Sequence, residues 1–396
     1  MDYFSLENIQ RIMVISYESM RFYIIITIVL IFFSSCNKRQ LSDDELLLGD
    51  WQYDTTLVMK KTSKENVFRS LPPFSLAPEF EFLPNGNCHY KNGLFERGYG
   101  NKEGMSCYAK FKGTALKYNF KNSNLILKYL NDSLFLKYAV KKVTEDSLIL
   151  IGSQNDLRFY SRVKPNTNRV IFDKIIVSTT GCFGSCRVAT VVINKNGTVL
   201  MNNQNYTEDD GLFIGKISEK EFKAINDRFN KIDIASLKHD YSINASDGQS
   251  VSVQFIKDNK RYNTVNDYME QAPPLLIQAY NPVIYLSQTI KTKNKITNPD
   301  FDFNNIGNFD FKDNHFYSLS HEQETELLID LYKSKKTNVV FNRIYELNLY
   351  NKKYDEFKVY SDGRYFKFIK KDKSNVTYDL GYNFLKRYNM QPQKYL

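Results

Sequence analysis

Short runs rich in aromatic and β-branched residues recur between residues 47 and 163, and this rhythm restricts the possible folds more than any other feature. Turn residues separate the runs about every eight to twelve positions, as in an antiparallel meander. Pro84-Asn85-Gly86 and Asn92-Gly93 supply turn chemistry, because Asn and Gly tolerate positive φ. The clearest runs are Ala115–Phe120, Leu125–Tyr129, Leu134–Val140, Ser147–Ile151 and Leu157–Arg162. They predict a sandwich or a barrel-like domain.

Residues 170–292 combine strand and helix signals. Ser218 and Glu221 have the spacing of a capping box, and apolar residues follow at helical intervals from Phe222 to Phe229. Pro273-Pro274 marks the start of a second helix. The predicted strands are Lys174–Thr179, Val188–Ile193, Thr198–Met201, Ser250–Ile256 and Arg261–Val265. We therefore expect an α+β domain with hairpins and packed helices.

Residues 300–396 repeat this mixture on a smaller scale, after a polar linker at Lys291–Asn298. Ser320 and Gln323 form a second capping box ahead of a leucine-rich helix. Strands are predicted at Ile344–Tyr350, Glu356–Tyr360 and Tyr365–Ile369. A chain of 396 residues is long enough for two or three domains. The predicted class is α+β and β-rich: a barrel-like domain at 47–163, an α+β domain at 170–292 and an α+β C-terminal unit at 300–396.

The region before residue 37 predicts a targeting signal. An apolar run from Phe22 to Phe33 follows Met20-Arg21 and is itself followed by Ser34-Ser35-Cys36. Twelve helical residues rise about 18 Å, too little for a hydrocarbon core of about 30 Å. A cation, a short apolar run and small residues are typical of a secretory signal. We expect residues 1–36 to be that signal, with Met20 as its true start, and 37–46 to be a tether.

Phe33-Ser34-Ser35-Cys36 resembles the lipobox of bacterial lipoproteins, with Phe where Leu is usual. The resemblance implies that Cys36 is the lipid attachment site, carries fatty chains such as palmitate, and becomes the mature N-terminus. The acidic cluster Ser42-Asp43-Asp44-Glu45 is similar to an export tag of surface lipoproteins, although it stands several residues late. The implied location is the cell envelope, lipid-anchored, at an outer membrane and facing the periplasm or the surface.

Four cysteines remain after Cys36, namely Cys88, Cys107, Cys182 and Cys186. An even number suits two disulfides in an oxidising compartment, Cys88 with Cys107 and Cys182 with Cys186, with reduced buried thiols as the alternative. Cys182 and Cys186 are bridged only if the chain folds back between them, since four extended residues span about 13 Å. A redox dithiol beside the cationic Arg187, a metal site and free thiols remain open for this pair.

The second domain resembles a family of bacterial lipoprotein domains of unknown function. The resemblance rests on Cys182-Phe183-Gly184-x-Cys186 and Gly197, with Tyr241 and Asp247 as downstream counterparts. Arg187 stands where that family often has Pro. The family brings no activity with it.

Gly49-Asp50-Trp51 at the start of the meander is similar to the opening of small lipocalin-like domains. This resemblance implies a barrel that either holds an apolar ligand or is filled by its own side chains, and filling is favoured.

Charge and motifs exclude several functions. The chain carries 54 Lys+Arg against 44 Asp+Glu, but the cations are scattered, so we expect no nucleic-acid partner. The four histidines lack metal-ligand spacing, and no catalytic motif is present; we therefore expect no catalytic, cofactor or metal residues. The sequence predicts a binding or structural module rather than an enzyme, and its expected partners are the membrane and an envelope protein or a small apolar ligand. A thiol-active or hydrolytic envelope enzyme, or a carrier of apolar ligands, are the alternatives.

Overall fold

The computed structural model describes residues 41–54, 78–99, 108–130, 135–152, 156–300, 303, 305–311, 313–349 and 357–394. Within these ranges three sheets follow one another along the chain, a closed barrel and two eight-stranded sheets. The β-rich α+β class predicted from the sequence is confirmed. The predicted signal with Cys36, the first residues of the tether, and Cys107 lie outside the described residues.

The first sheet is an up-and-down barrel, in which every strand pairs antiparallel with its sequence neighbours and β1 closes on β8. β7 and β8 have the predicted bounds, because each is a short apolar run between turn residues. The strands are β1 Gly49–Tyr53, β2 Phe80–Leu83, β3 Asn87–Gly98, β4 Tyr108–Lys121, β5 Asn124–Tyr129, β6 Phe135–Val143, β7 Ser147–Ile151 and β8 Leu157–Arg162.

The barrel core consists of the chain's own apolar side chains. Trp51, Phe80 and Leu148 are fully buried there. Helix α1, Asp43–Leu47, begins at the acidic cluster with a capping box and packs on this core through Leu47. The indole Nε1 of Trp51 donates a 2.8 Å hydrogen bond to the Leu47 carbonyl. Part of the segment predicted as a tether is therefore a helix fixed to the barrel.

The turn predicted at Asn92-Gly93 is wrong, because both residues lie inside β3. The register with β4 jumps between His89 and Leu94, so extra residues of β3 bulge out of the ladder. Gly93 has φ 81°, and a Cβ there would lie 2.6 Å from the Phe111 ring. The glycine thus serves a bulge, which sequence cannot distinguish from a turn when both require positive φ.

The second sheet has the order β13-β15-β14-β9-β10-β11-β12-β16. β9 has its predicted bounds, and Asp258-Asn259 turns between β14 and β15 with positive φ. β16 comes from the segment predicted as a polar linker; it pairs antiparallel with β12 as an edge strand. The strands are β9 Lys174–Thr179, β10 Val188–Asn194, β11 Thr198–Asn205, β12 Gly211–Lys216, β13 Asp240–Tyr241, β14 Ser250–Lys257, β15 Lys260–Tyr268 and β16 Thr292–Ile296.

Three helices cover this part of the chain: α2 Glu219–Phe229, α3 Pro274–Ile284 and the short α4 Leu286–Thr289. The predicted capping box at Ser218 and Glu221 is present at the start of α2. α2 and α3 bury their apolar faces against the sheet, with Phe229 and Leu276 fully enclosed.

The third sheet has the order β19-β23-β22-β21-β20-β17-β18-β24 and includes helices α5 His321–Lys333 and α6 Phe384–Arg387. α5 contacts β10, β11 and β17, so it joins the second and third sheets. Lys174 of β9 reinforces the joint through ion pairs of 2.6 Å to Glu322 and 2.9 Å to Glu326. The strands are β17 Ile306–Phe311, β18 His315–Tyr317, β19 Lys335–Thr337, β20 Tyr345–Leu349, β21 Phe357–Ser361, β22 Tyr365–Lys370, β23 Asn375–Asp379 and β24 Gln393–Lys394.

The barrel is joined to the second sheet through α3 and α4. The Gln288 side chain accepts a hydrogen bond from the Phe111 amide at 2.8 Å and donates one to the Ala109 carbonyl at 3.0 Å. Its amide group thus bonds to the β4 backbone as a neighbouring strand would. The ring of Tyr285 packs against Phe95 at 5.0 Å and Phe111 at 5.8 Å. These contacts fix the two walls of the site described next.

Candidate functional site

A cleft of about 740 Å³ lies between the barrel and the second sheet, and we name it the junction cleft. The barrel wall includes Tyr90, the Asn92-Gly93 bulge and Phe95. The opposite wall consists of the end of α3 around Tyr285, two loops, and the Cys182–Cys186 motif. The bulge that replaced the predicted turn therefore shapes this wall.

Cys182 and Cys186 form a disulfide in the structure, with the sulfurs 1.91 Å and the Cα atoms 5.6 Å apart. The chain folds back as bridging requires: the Gly184 amide donates to the Cys182 carbonyl at 2.8 Å, and the Phe183 amide to the Asp247 carbonyl at 3.0 Å. The side chain of Phe183 is 91% exposed. The bridge therefore holds an aromatic ring in solvent beside the cleft.

Arg187, directly after the bridge, is 4% exposed. Its Nε donates to the Ile284 carbonyl at 3.0 Å, and one terminal nitrogen donates to Asn203 Oδ1 at 3.0 Å and Ser287 Oγ at 2.6 Å. The guanidinium lies 5.3 Å from the ring centroid of Tyr285. It forms no ion pair within the described part of the chain, and burial lowers its pKa. A cation at the carbonyl end of α3 is favourable, so Arg187 fastens α3 to the motif rather than activating a thiol.

Two loops of the cleft wall have unusual backbone. Asp247, Met269 and Glu270 have φ between 56° and 66°, the left-handed region that non-glycine residues adopt rarely. Asp267 secures the second loop, since its carboxylate accepts from the amides of Gln271 at 2.7 Å and Ala272 at 3.0 Å. Burial raises the pKa of Asp267. Such backbone is found disproportionately at binding sites, where the surrounding structure imposes it.

The chemistry of the cleft is aromatic and acidic. Its charged lining residues are Asp247 and Glu270, both carboxylates, in a chain whose net charge is +10. Burial raises the pKa of Tyr285, while the charge of Arg187 lowers it. The cleft therefore suits an apolar group accompanied by a cation or by N–H donors.

The structure brings some predicted residues to the cleft and separates others. Cys182, Cys186 and Asp247 lie there, whereas Tyr241 is in β13, where its hydroxyl accepts from the Lys238 amide. Cys88 is a free, buried thiol in the barrel, and its predicted partner Cys107 lies outside the described residues, so the structure does not show that bridge.

The histidines lie in different parts of the fold. His239 lies 2.7 Å from Asp240 as an exposed pair, and His315 and His321 belong to the third unit. Among the described residues, no three His, Cys, Asp or Glu side chains are grouped to hold a metal ion. No helix in the described ranges is long and apolar enough to cross a membrane.

The sequence analysis did not identify Tyr285 or Phe95, and it treated Arg187 as a cation beside the thiols and as a departure from the usual Pro. The first two look like ordinary core aromatics in sequence. For Arg187, the signal in the sequence was that Arg stands where the resembling family often has Pro.

Fold and site together define a β-rich protein in which an up-and-down barrel and a disulfide-bearing α+β sheet enclose a cleft. Residues 173–287 match the family model described as a domain of unknown function, DUF6438. The match covers just under a third of the chain and coincides with the segment that contains the disulfide motif. No curated protein and no solved structure matches the chain.

Proposed function

We propose that this chain is a lipid-anchored binding protein of the cell envelope that receives a segment of a partner polypeptide in the junction cleft. The observation that carries the proposal is the cleft itself. Its volume of about 740 Å³ lies within the range of ligand pockets, about 300–1,000 Å³. Its aromatic walls and few polar groups are the composition of such sites.

Rigidity supports binding at this place. The disulfide, the Arg187 contacts and the Asp267 hydrogen bonds fix three parts of the wall before any ligand arrives. A preorganised site loses less conformational entropy on binding. Phe183 and Phe95, the latter 45% exposed, offer aromatic surface at the rim. Exposed aromatic groups are typical anchors of protein interfaces.

Charge defines the partner further. Asp247 and Glu270 favour a segment in which Lys or Arg accompanies apolar side chains. A polypeptide combines both groups in one ligand. The core of the barrel is filled by the chain's own side chains, which argues against a carrier that holds its ligand inside the barrel.

The location rests on the N-terminal sequence. The run from Phe22 to Phe33 followed by Cys36 supports export and lipid attachment at an outer membrane, with the protein facing the periplasm or the surface. The Cys182–Cys186 bridge is consistent with an oxidising compartment, where disulfides persist.

A thiol-active enzyme is the second candidate, because the disulfide forms part of the cleft wall. Strand β10 follows the motif instead of a helix, so no helix N-terminus lowers a thiol pKa there.

Selection from a random peptide library displayed on phage tests the cleft. We expect enriched peptides to combine aromatic residues with Lys or Arg. Phe95→Ala and Asp247→Asn should each weaken binding at least tenfold, since Asn tolerates the left-handed backbone at position 247. Phe135→Ala, which removes a 53% exposed ring from the barrel, is the matched control. Failure to enrich any sequence, or equal loss in the control, contradicts the proposal.

The same protein preparation distinguishes a thiol-active enzyme from a binding protein. Thiol–disulfide exchange with a reduced peptide that disappears in a Cys182→Ser, Cys186→Ser variant, without peptide enrichment, would favour the enzyme. Membrane fractionation tests the anchor independently: Cys36→Ala should move the protein from the membrane pellet to the soluble fraction. If the variant still sediments with membranes, Cys36 is not the anchor.

A further inference from the structure

A second cavity, of about 220 Å³, lies between strands β2–β4 of the barrel and helices α2 and α3. We name it the interface cavity; it is separate from the junction cleft. Its charged and hydrogen-bonding lining side chains include Glu81, His89, Lys91, Thr114, Asp227, Arg228 and Lys231. Arg228 belongs to the last turn of α2 and Lys231 lies two residues beyond its end, and both line the cavity.

Most charges around this cavity are already paired. Lys231 lies 2.6 Å from Asp50 and 3.0 Å from Glu81. Lys91 lies 2.6 Å from Asp50 and 3.3 Å from Glu79. Two lysines therefore engage three carboxylates. The remaining lining carboxylate, Asp227, is paired with Lys223 at 2.5 Å.

Arg228 is the exception. Its guanidinium makes no hydrogen bond or ion pair with any residue that the structure describes, although it is half-buried in the cavity wall. The carboxylate whose charge acts on it belongs to Glu81, which Lys231 already engages. Charged groups removed from water are normally paired, and a guanidinium presents a fork of donors that matches an oxyanion.

His89 adds a second polar group, whose Nε2 donates in the tautomer in which Nδ1 accepts from the Thr114 hydroxyl. Its Nδ1 is 3.1 Å from Thr114 Oγ1, which leaves Nε2 for a ligand. His89, Arg228 and Lys231 line the same cavity, and the positive charges of the last two act on the imidazole. Burial lowers the pKa of His89, and these two charges add to that effect against the opposing charge of Glu81. The lowered pKa favours the neutral imidazole, so the charged donors available to a ligand are those of Arg228.

We propose that the interface cavity binds a small oxyanion, with inorganic phosphate as its probe, held by Arg228 and His89 at the joint between the barrel and the second sheet. The volume of about 220 Å³ accommodates a free oxyanion and excludes a nucleotide. The anion would contact residues of both units, so binding strengthens their association. This inference does not depend on the junction cleft.

Titration calorimetry and thermal unfolding of the full chain in sodium phosphate, against sodium chloride at equal ionic strength, test the proposal. We expect saturable phosphate binding at pH 7 and a rise in melting temperature with phosphate concentration. Arg228→Gln should weaken binding at least tenfold. Arg343→Gln removes the same charge from the third unit, where Arg343 lies over the ring of Tyr360, and should bind like the wild type.

Arg228→Lys keeps the positive charge but loses the forked donors of the guanidinium, so it should bind phosphate with intermediate affinity. This variant keeps the proposal testable if Arg228→Gln folds poorly. Sulfate and acetate titrations distinguish a site for tetrahedral oxyanions from one for carboxylates. No phosphate effect beyond that of chloride, or equal weakening in Arg343→Gln, overturns the proposal.

Discussion

Asp50, on the first strand of the barrel, forms an ion pair with Lys231, which lies two residues beyond the end of helix α2. The Lys231 Nζ and Asp50 Oδ2 atoms are 2.6 Å apart. The other carboxylate oxygen lies 2.6 Å from Lys91 on β3. A single carboxylate thus connects the barrel to the second unit across 181 positions of sequence. Its side chain is 12% exposed, so water does little to weaken these contacts.

Asp50→Asn should lower the free energy of unfolding by about 3 kcal/mol, because the change leaves buried cations short of one carboxylate. Urea unfolding followed by circular dichroism measures the loss. Asp313→Asn, in a side chain that is 70% exposed, is the matched control and should change stability by less than about 0.5 kcal/mol. Equal effects of the two variants would show that the Asp50 bridge contributes nothing.

The pH dependence of stability should follow the same bridge. Lys91 and Lys231 hold the pKa of Asp50 below its ordinary 3.8 against the opposing effect of burial, so its contribution is present above pH 3.8 and lost as the pH falls through the lowered value. Asp50 and Glu81 raise the pKa of Lys231 above 10.5, and that contribution is lost only as the pH rises past the raised value.

Stability from these two groups should therefore be level between about pH 5 and 9 and should fall on both sides. Burial raises the pKa of Glu79, which favours the folded state on acidification and partly offsets the loss from Asp50. Urea midpoints measured from pH 3 to 11 check the profile. In Asp50→Asn the acid decline should become shallower; an unchanged decline would assign it to other carboxylates.

Removal of the Cys182–Cys186 bridge should cost about 2 kcal/mol, the loop-closure entropy of a five-residue loop. Urea unfolding of the Cys182→Ser, Cys186→Ser variant should match that of the wild-type protein in reductant. Reductant should leave the variant itself unchanged. A variant as stable as the oxidised wild type would show that hydrogen bonds alone hold the loop.

Arg187→Ala should destabilise the protein by about 2–4 kcal/mol, since the Ile284 carbonyl and the Ser287 hydroxyl lose a charged donor in a buried place. Loss of the guanidinium charge should also raise the pKa of Tyr285 further. Urea unfolding and ultraviolet titration of tyrosine absorbance measure the two effects. Arg261→Ala, at an exposed position of β15, serves as control.

Local structure was largely predictable. β7, β8 and β9 begin and end where the apolar runs do, and the capping boxes at Ser218 and Ser320 start helices as expected. Each of these signals lies within a few neighbouring residues, where side-chain alternation and backbone capping act directly.

Long-range structure was not predictable in the same way. β16 reads as a polar linker because an edge strand needs no buried face, and only its pairing with β12 makes it a strand. Asn92-Gly93 satisfies the requirements of a turn and of a bulge equally, and the opposing strand β4 decides between them.

The amino-acid sequence by itself determined the β-rich class, the succession of three units and a cysteine motif able to close a turn, because periodicity and turn chemistry are local. Only the tertiary structure decided that Arg187 is buried behind Tyr285, that Asp50 meets Lys231, and that Arg228 faces a cavity. These relationships depend on packing between residues that are mostly far apart along the chain, and no short window of sequence contains both partners.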